Sequence, residues 1–333
     1  MKLDYLKQTS IQLAGHMALI DSERLHATRQ INCATFLHYA VERGTLEMYL
    51  NQANFCNQRS CPVCQWRRSV KLRLKLFTGI RQLLSDRSDL VGIFLTLTVK
   101  NCHQSDLRWT LRAMESGWAA LRHRADFPAL GYLKSVEVSR PHDCYYGGQY
   151  LGRLGSKRIK EINGLEGFKK ALWQEFFCEQ VHPHFHVLML VDKSYFSPTS
   201  YIDHLGWVTR WRMAMRLDYS PVVDIRRIYS EPGAGIDSAI FEASKYMIKP
   251  SDLSDALAPF VLRQFYGLKL VSTGGILSSY LRNSEVDEIL RTGQSGDEFY
   301  QFGVPLHFLW NEQVGAYEMV KLGRSRWRLS EGF

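Results

Sequence analysis

The sequence predicts an α+β protein with a cysteine-rich module near its start, and three observations carry that expectation. Gly92–Val99 alternates leucine with threonine, and Val181–Val191 ends in an unbroken apolar run; both read as strands of a buried sheet. Leu107, Leu111, Met114, Trp118 and Leu121 recur at helical spacing, the core stripe of a helix that Ser105 would cap. Cys56, Cys61 and Cys64 crowd into nine residues.

Composition narrows the partners. The chain has 333 residues, 45% of them hydrophobic, ample for a core. Its 42 Lys and Arg against 33 Asp and Glu leave a net charge of +9, which favours a polyanion, nucleic acid or an anionic membrane surface. No run of about 18 apolar residues could span a bilayer, and Met1–Tyr5 opens no secretory h-region, so the expected location is the cytoplasm. Seven cysteines in such a compartment point to metal or free thiols rather than disulfides.

In chain order, residues 1–55 read as mixed, mostly helical structure. The Cys61-Pro-Val-Cys64 knuckle lets two thiolates grip one ion. Cys56 adds a third ligand, and Cys33 is taken as the fourth of a structural zinc site, with a histidine such as His38 the alternative. A redox Cys-x-x-Cys is disfavoured because no thioredoxin-like βαβ pattern surrounds it. A helix follows with Trp66, Val70, Leu74, Phe77, Ile80 and Leu84 as its stripe. Arg67, Arg68, Lys71, Arg73 and Lys75 occupy the rest of that surface, either gripping phosphates or forming a solvated basic face.

Gly131–Val138 is a second strand, polar at the buried-looking Glu137. Residues 141–172 are glycine-rich and basic, an exposed excursion. A helix is expected from Ser197-Pro198 to about Leu217, then a strand over Pro221–Tyr229. Ile236, Ala239, Ile240, Ala243 and Met247 mark a further helix ended by Pro250. Glu242 and Tyr246 are one turn apart on it, and so are Lys245 and Lys249.

The chemistry concentrates in Val181-His-Pro-His-Phe-His-Val187. Residues i and i+2 of a strand share a face, so His184 and His186 sit side by side and can share a divalent metal. The bland reading is a pair of satisfied histidines at a strand end. For a third ligand the choice falls on Glu137, with His182 as the alternative.

Taken in order, these segments resemble the rolling-circle plasmid replication initiators of the HUH endonuclease group, named for histidine–hydrophobic–histidine. The likeness covers the cysteine cluster with Arg67-Arg68, Phe94-Leu-Thr-Leu-Thr-Val-Lys-Asn101 and the histidine strand. It continues through Glu242-x-x-Lys245-Tyr246-x-x-Lys249 and Gly274-Gly275-Ile276-Leu277. The resemblance implies helices packed on a central antiparallel sheet with the histidine pair on an inner strand. It implies a nickase in which Tyr246 is the nucleophile, leaving a 5′-phosphotyrosine link and a 3′-hydroxyl primer. Glu242 would be the base that activates water when the replicated strand is released; its plain alternative is a surface pair with Lys245 or Lys249.

The expected cofactors are Mg2+ or Mn2+ at His184, His186 and Glu137, and Zn2+ at Cys33, Cys56, Cys61 and Cys64. No nucleotide is needed, consistent with the lack of a G-x-x-x-x-G-K-[ST] loop. Expected partners are plasmid origin DNA, single-stranded or hairpin at the nick, contacted by Arg67, Arg68, Lys71, Lys245 and Lys249, with a host helicase and polymerase and no membrane. Three modules follow: a helical zinc-binding, DNA-contacting segment over 1–88, a nicking domain over 89–255, and an extension over 256–333 packed on it. A transposase of the same chemistry and a non-catalytic zinc-dependent DNA-binding regulator are the competing readings.

Overall fold

The computed structural model describes residues 2–42, 48–139, 143–146, 149–153, 180–228, 235–244, 258–282 and 303–320. Along these the chain forms helices α1 (Lys2–Ala18) and α2 (Arg24–Ile31), strands β1 (Phe36–Glu42) and β2 (Met48–Ala53), and helix α3 (Pro62–Asp86). Strands β3 (Leu90–Thr98) and β4 (Cys102–His103), helix α4 (Leu107–Arg122) and strands β5 (Ala129–Ser139), β6 (Asp143–Tyr146), β7 (Gln149–Arg153) and β8 (Gln180–Asp192) come next. Helix α5 (His204–Met215), strand β9 (Val223–Ile228), helices α6 (Ile236–Ala243) and α7 (Ala258–Gln264), and strand β10 (Val271–Gly275) follow. Helix α8 (Ile276–Arg282) and strands β11 (Gly303–Asn311) and β12 (Ala316–Val320) complete the order. No described helix is long and apolar enough to cross a membrane.

The chain divides into two compact units, Met1–Cys64 with Asp287–Phe333, and Gln65–Val286. In the first, α1 and α2 accompany a four-stranded sheet of order β12-β11-β1-β2. Strand β1 pairs antiparallel with β11 from Phe36–Leu309 to Glu42–Gly303. Residues 36–42 and 48–53 are therefore strands where the sequence pattern predicts mostly helix. The β11 partner of β1 lies some 270 positions away, beyond any local pattern. The boundaries also differ from the three expected modules: β11 and β12 belong to the cysteine-bearing unit, and residues 258–282 to the other.

The second unit is built on the sheet β10-β5-β8-β3-β9, with neighbours antiparallel throughout and β4 adding to β8. Strand β8 is central, paired with β5 on one side and β3 on the other. Its alternation sorts the faces. Leu188 and Leu190, on the side of His184 and His186, are buried with Leu76, Ile80 and Leu83 of α3, Ala239, Ile240 and Ala243 of α6, and Leu277 and Leu281 of α8. On the opposite side Phe185 meets Trp211 of α5, whose indole N–H donates to the Thr98 carbonyl at 2.8 Å.

Several local readings shift. The buried stripe of α3 is Leu76, Ile80 and Leu83, while Leu74 is 51% exposed. Gly79 lies against Leu281 of α8, where a Cβ would stand 2.7 Å from its side chain. Ser105 does not cap α4: a 3-10 turn over Gln104–Asp106 comes first, and the His103 ring accepts the Ser105 amide. The helix expected from Ser197 begins at His204, because Asp203 accepts the Gly206 amide at 2.7 Å and is the working cap. Within residues 141–172, β6 and β7 form a hairpin and the remainder lies outside the described residues.

The Gly274-Gly275 segment is fixed by packing. Strand β10 crosses β5 so closely that a Cβ on Gly275 would lie 2.0 Å from the Leu130 carbonyl oxygen, and its φ of +61° suits glycine.

Candidate active site

Three donors converge on the sheet of the second unit. Glu137 of β5 lies directly across from His184 of β8, and Ser135 from His186. An antiparallel pair places such side chains about 5 Å apart on one face, so the carboxylate reaches both imidazoles. Its Oε2 stands 2.9 Å from His186 Nε2 and 3.6 Å from His184 Nε2. The two rings are 4.8 Å apart and nearly perpendicular, at 88°. All three side chains are buried, and their ligand atoms lie within 4.8 Å of one another.

The outer ring nitrogens are held as well. His184 Nδ1 lies 3.3 Å from the His182 carbonyl, which can only accept, so Nδ1 carries a proton and Nε2 is the nitrogen turned toward Glu137. His186 Nδ1 meets Thr96 Oγ1 at 3.2 Å, and its ring lies 5.5 Å from Phe94. Burial alone would push the Glu137 carboxyl up, but its hydrogen bonds to His184 and His186, together with their charge, hold it well below its ordinary value. An ionised carboxylate and two imidazoles form a donor set that, once the ring protons facing Glu137 are displaced, fits a divalent ion and leaves positions open for water or phosphate oxygen. His182, the alternative ligand, points its Nδ1 at Asn101 Oδ1, 2.8 Å away.

Helix α6 packs on this same sheet face through Ala239, Ile240 and Ala243, and it carries Glu242. Lys245, Tyr246 and Lys249 lie outside the described residues. On α3, Arg68 is exposed and Arg67 is half-buried. Partial burial and the nearby Arg67 charge hold the Lys71 ammonium below its ordinary value.

The first unit holds the thiols. Cys33 follows α2, Cys56 follows β2, and Cys61 and Cys64 flank the first turn of α3; all four are buried and their sulfurs lie within 4.8 Å of one another. Sulfur separations are 3.5 Å for Cys33–Cys61, 3.6 Å for Cys33–Cys64 and 3.7 Å for Cys56–Cys64. A tetrahedral zinc with Zn–S of about 2.3 Å places its sulfurs about 3.8 Å apart, so the cage is already of that size. Hydrogen bonds from Cys33, Cys56 and Cys64 pull the Cys61 thiol well below its ordinary pKa, outweighing burial. The Cys56 amide points at Cys33 Sγ from 3.4 Å, a thiolate-supporting contact. His38, the alternative fourth ligand, instead stacks on His307 with ring centroids 4.2 Å apart.

Local pattern left some residues of these clusters unmarked. Lys7 is fully buried, and its ammonium donates to the carbonyls of Cys33, at 2.7 Å, and Ile31. A lysine in an amphipathic helix carries no signal that it turns inward. Thr96 sits in a strand motif noted for its alternation, and only the strand register reveals that it faces His186.

Comparison with known proteins places the chain. The family model described as Replication protein matches residues 47–318. The curated Protein rep of Streptococcus pneumoniae serotype 2 (strain D39 / NCTC 7466) is 30% identical over 330 residues, covering 95% of this chain and 91% of that protein. A Protein rep from Bacillus sp is 30% identical over 245 residues, 68% of this chain and 67% of the relative. That of Bacillus amyloliquefaciens is 27% identical over 321 residues, 87% and 84% respectively. No solved structure matches. With most of its length matched by both the family model and a relative at 30% identity, the chain belongs to the Rep family of replication proteins, the plasmid rolling-circle initiators that its motifs resemble.

Proposed function

We propose that the protein starts replication by nicking one strand at a plasmid double-strand origin, with Tyr246 as nucleophile, on a sheet of the HUH endonuclease kind. The observation that carries this reading is the convergence of Glu137, His184 and His186 on the central antiparallel pair, with the helix bearing Glu242 packed over the same face. A divalent ion bound there, Mg2+ or Mn2+, supplies positive charge to the scissile phosphate. Glu137, His184 and His186 hold it, and Thr96 and the His182 carbonyl fix the ring orientations. The Tyr246 oxygen forms a bond to phosphorus as the P–O3′ bond breaks, and the departing oxygen takes up a proton to become the 3′-hydroxyl primer. The phosphodiester energy is kept in the 5′-phosphotyrosine link. Glu242 then takes a proton from water to hydrolyse that link and release the replicated strand. Arg67, Arg68, Lys71, Lys245 and Lys249 contact phosphates, and a host helicase and polymerase, in the cytoplasm, act on the product. Zn2+ held by the four cysteines serves the fold of the first unit.

One experiment separates the roles. Incubated with supercoiled DNA of its own replicon, the wild type yields a covalent protein–DNA adduct that turns over. Tyr246→Phe keeps the ring and removes the attacking oxygen, so it binds DNA and forms no adduct. Glu242→Gln still nicks but accumulates adduct. Adduct formation by Tyr246→Phe would reject the nucleophile; normal release by Glu242→Gln would leave Glu242 as a surface ion-pair partner.

A further inference from the structure

We infer that Arg73 and Arg81 of α3 are positioning residues that seat helix α6, and with it Glu242, over the histidine pair; this rests on the function proposed above. Helix α6 has eight residues, and its N-cap, Gly235, provides no side-chain hydrogen bond. A helix that short does not hold itself together in water, so its place depends on what it touches. Its sheet side offers Ala239, Ile240 and Ala243. Ile236 packs on the same core, and two cations of α3 engage the outward side of α6. Arg81 Nη2 stands 3.0 Å from Asp237 Oδ2, and the Arg73 guanidinium lies 4.4 Å from the centre of the Phe241 ring.

The two contacts are in register. Asp237 and Phe241 are one turn apart on α6; Arg73, Phe77 and Arg81 follow at one-turn steps on α3, with the Arg81 guanidinium 5.5 Å from the Phe77 ring. The later arginine meets the earlier α6 residue, so the helices run antiparallel, and the end of α6 that bears Glu242 is directed toward the cation-rich start of α3. Arg73 is itself aimed: its Nε and Nη2 donate to the Ser69 carbonyl at 3.3 Å and hydroxyl at 3.2 Å. Phe241, 47% exposed and immediately before Glu242, has no core to fill, and the guanidinium gives it a partner. One helix thus carries both the cations placed to meet phosphate and those that hold the catalytic helix. Binding of the origin strand and seating of Glu242 share one rigid element.

The test measures single-turnover release of the covalent adduct formed on a single strand prepared from the protein's own replicon, beside the dissociation constant for the same strand. Asp237→Asn and Phe241→Leu should each slow adduct release on the order of tenfold, as a small misplacement of a reacting group does, while nicking keeps its rate. Strand affinity and thermal midpoint should change little. Exchanging the charges, Arg81→Asp with Asp237→Arg, should recover most of the rate that either single change loses, which a loss of general stability would not do. Wild-type rates in Asp237→Asn and Phe241→Leu, or an exchange that recovers nothing, would overturn the inference alone. A wild type that forms no adduct would overturn the proposed function and this inference with it.

Discussion

The two units each bury a cluster of donor atoms, and the clusters are built in opposite ways. The thiols of Cys33, Cys56, Cys61 and Cys64 come from three separate stretches of chain and complete a tetrahedron of soft ligands. Glu137, His184 and His186 come from two adjacent strands and form one side of a shell, leaving the remaining positions open. A closed set of four thiolates suits an ion that ties segments together; an open set with a carboxylate suits an ion that must accept a substrate oxygen. The contrast also shows in the neighbours. The thiol cage is bordered by the buried Lys7, with its ammonium on the Cys33 carbonyl, whereas the histidines are aimed by Thr96 and a strand carbonyl.

The comparison breaks first at the cysteines. Structural zinc contributes roughly 10 kcal/mol or more to small metal-folded modules, on the scale of a whole domain's stability of about 5–15 kcal/mol. Cys61→Ser should therefore lower bound zinc and the thermal midpoint sharply, measured by metal analysis and calorimetry. A stable wild type purified without zinc would erase the distinction.

Next comes the open site. His184→Ala or His186→Ala should cut cleavage of single-stranded origin DNA by about 10^3-fold, the equivalent of about 4 kcal/mol of lost charge stabilisation. Binding should persist, since phosphate contacts elsewhere supply it. Brief EDTA treatment should copy this loss, with Mg2+ or Mn2+ restoring cleavage while zinc content stays constant. Wild-type cleavage by either variant would remove the metal role.

The smallest effect is an acid control. Asp126 bridges Arg124 and Arg210, and the Arg124 hydrogen bond, against slight burial, holds its carboxyl at about 2 rather than the ordinary 3.8. A depressed carboxyl stabilises the fold above its ordinary value and loses that contribution only as pH falls toward 2. Solvent screening keeps it below about 1 kcal/mol. Asp126→Asn should thus leave the midpoint between neutral pH and about 4 unchanged within that limit.

Strands that alternate and cysteines that cluster were legible in the sequence, because both signals are local. The histidine strand, its face and the Glu137 partnership follow from the period of two together with one polar residue in an apolar strand, and α4 buried the stripe its spacing announced. What stayed hidden depends on distant partners. Residues 36–42 become a strand paired with the distant β11, and 48–53 a strand paired in turn with β1. Leu74 faces outward while Leu76, Ile80 and Leu83 of the same helix meet α6 and α8 in the core. Asp203 overrides Ser197 as a helix start through one side-chain hydrogen bond, which composition alone does not rank. The seating of α6 by arginines was hidden for the same reason: Arg81 and Asp237 are 156 residues apart.

The pairing of β11 with β1 sets an order of events during synthesis. Strand β1 emerges from the ribosome early, yet one full edge of it stays unsatisfied until residues 303–311 have been made. The segment that becomes the other unit, Gln65–Val286, is complete in the meantime. At bacterial elongation rates of about 5–20 residues per second, the interval between β1 and β11 lasts on the order of tens of seconds. For that time the newborn chain exposes one open strand edge beside the cysteine cluster, and a chaperone or early zinc capture would have its clearest effect on yield there.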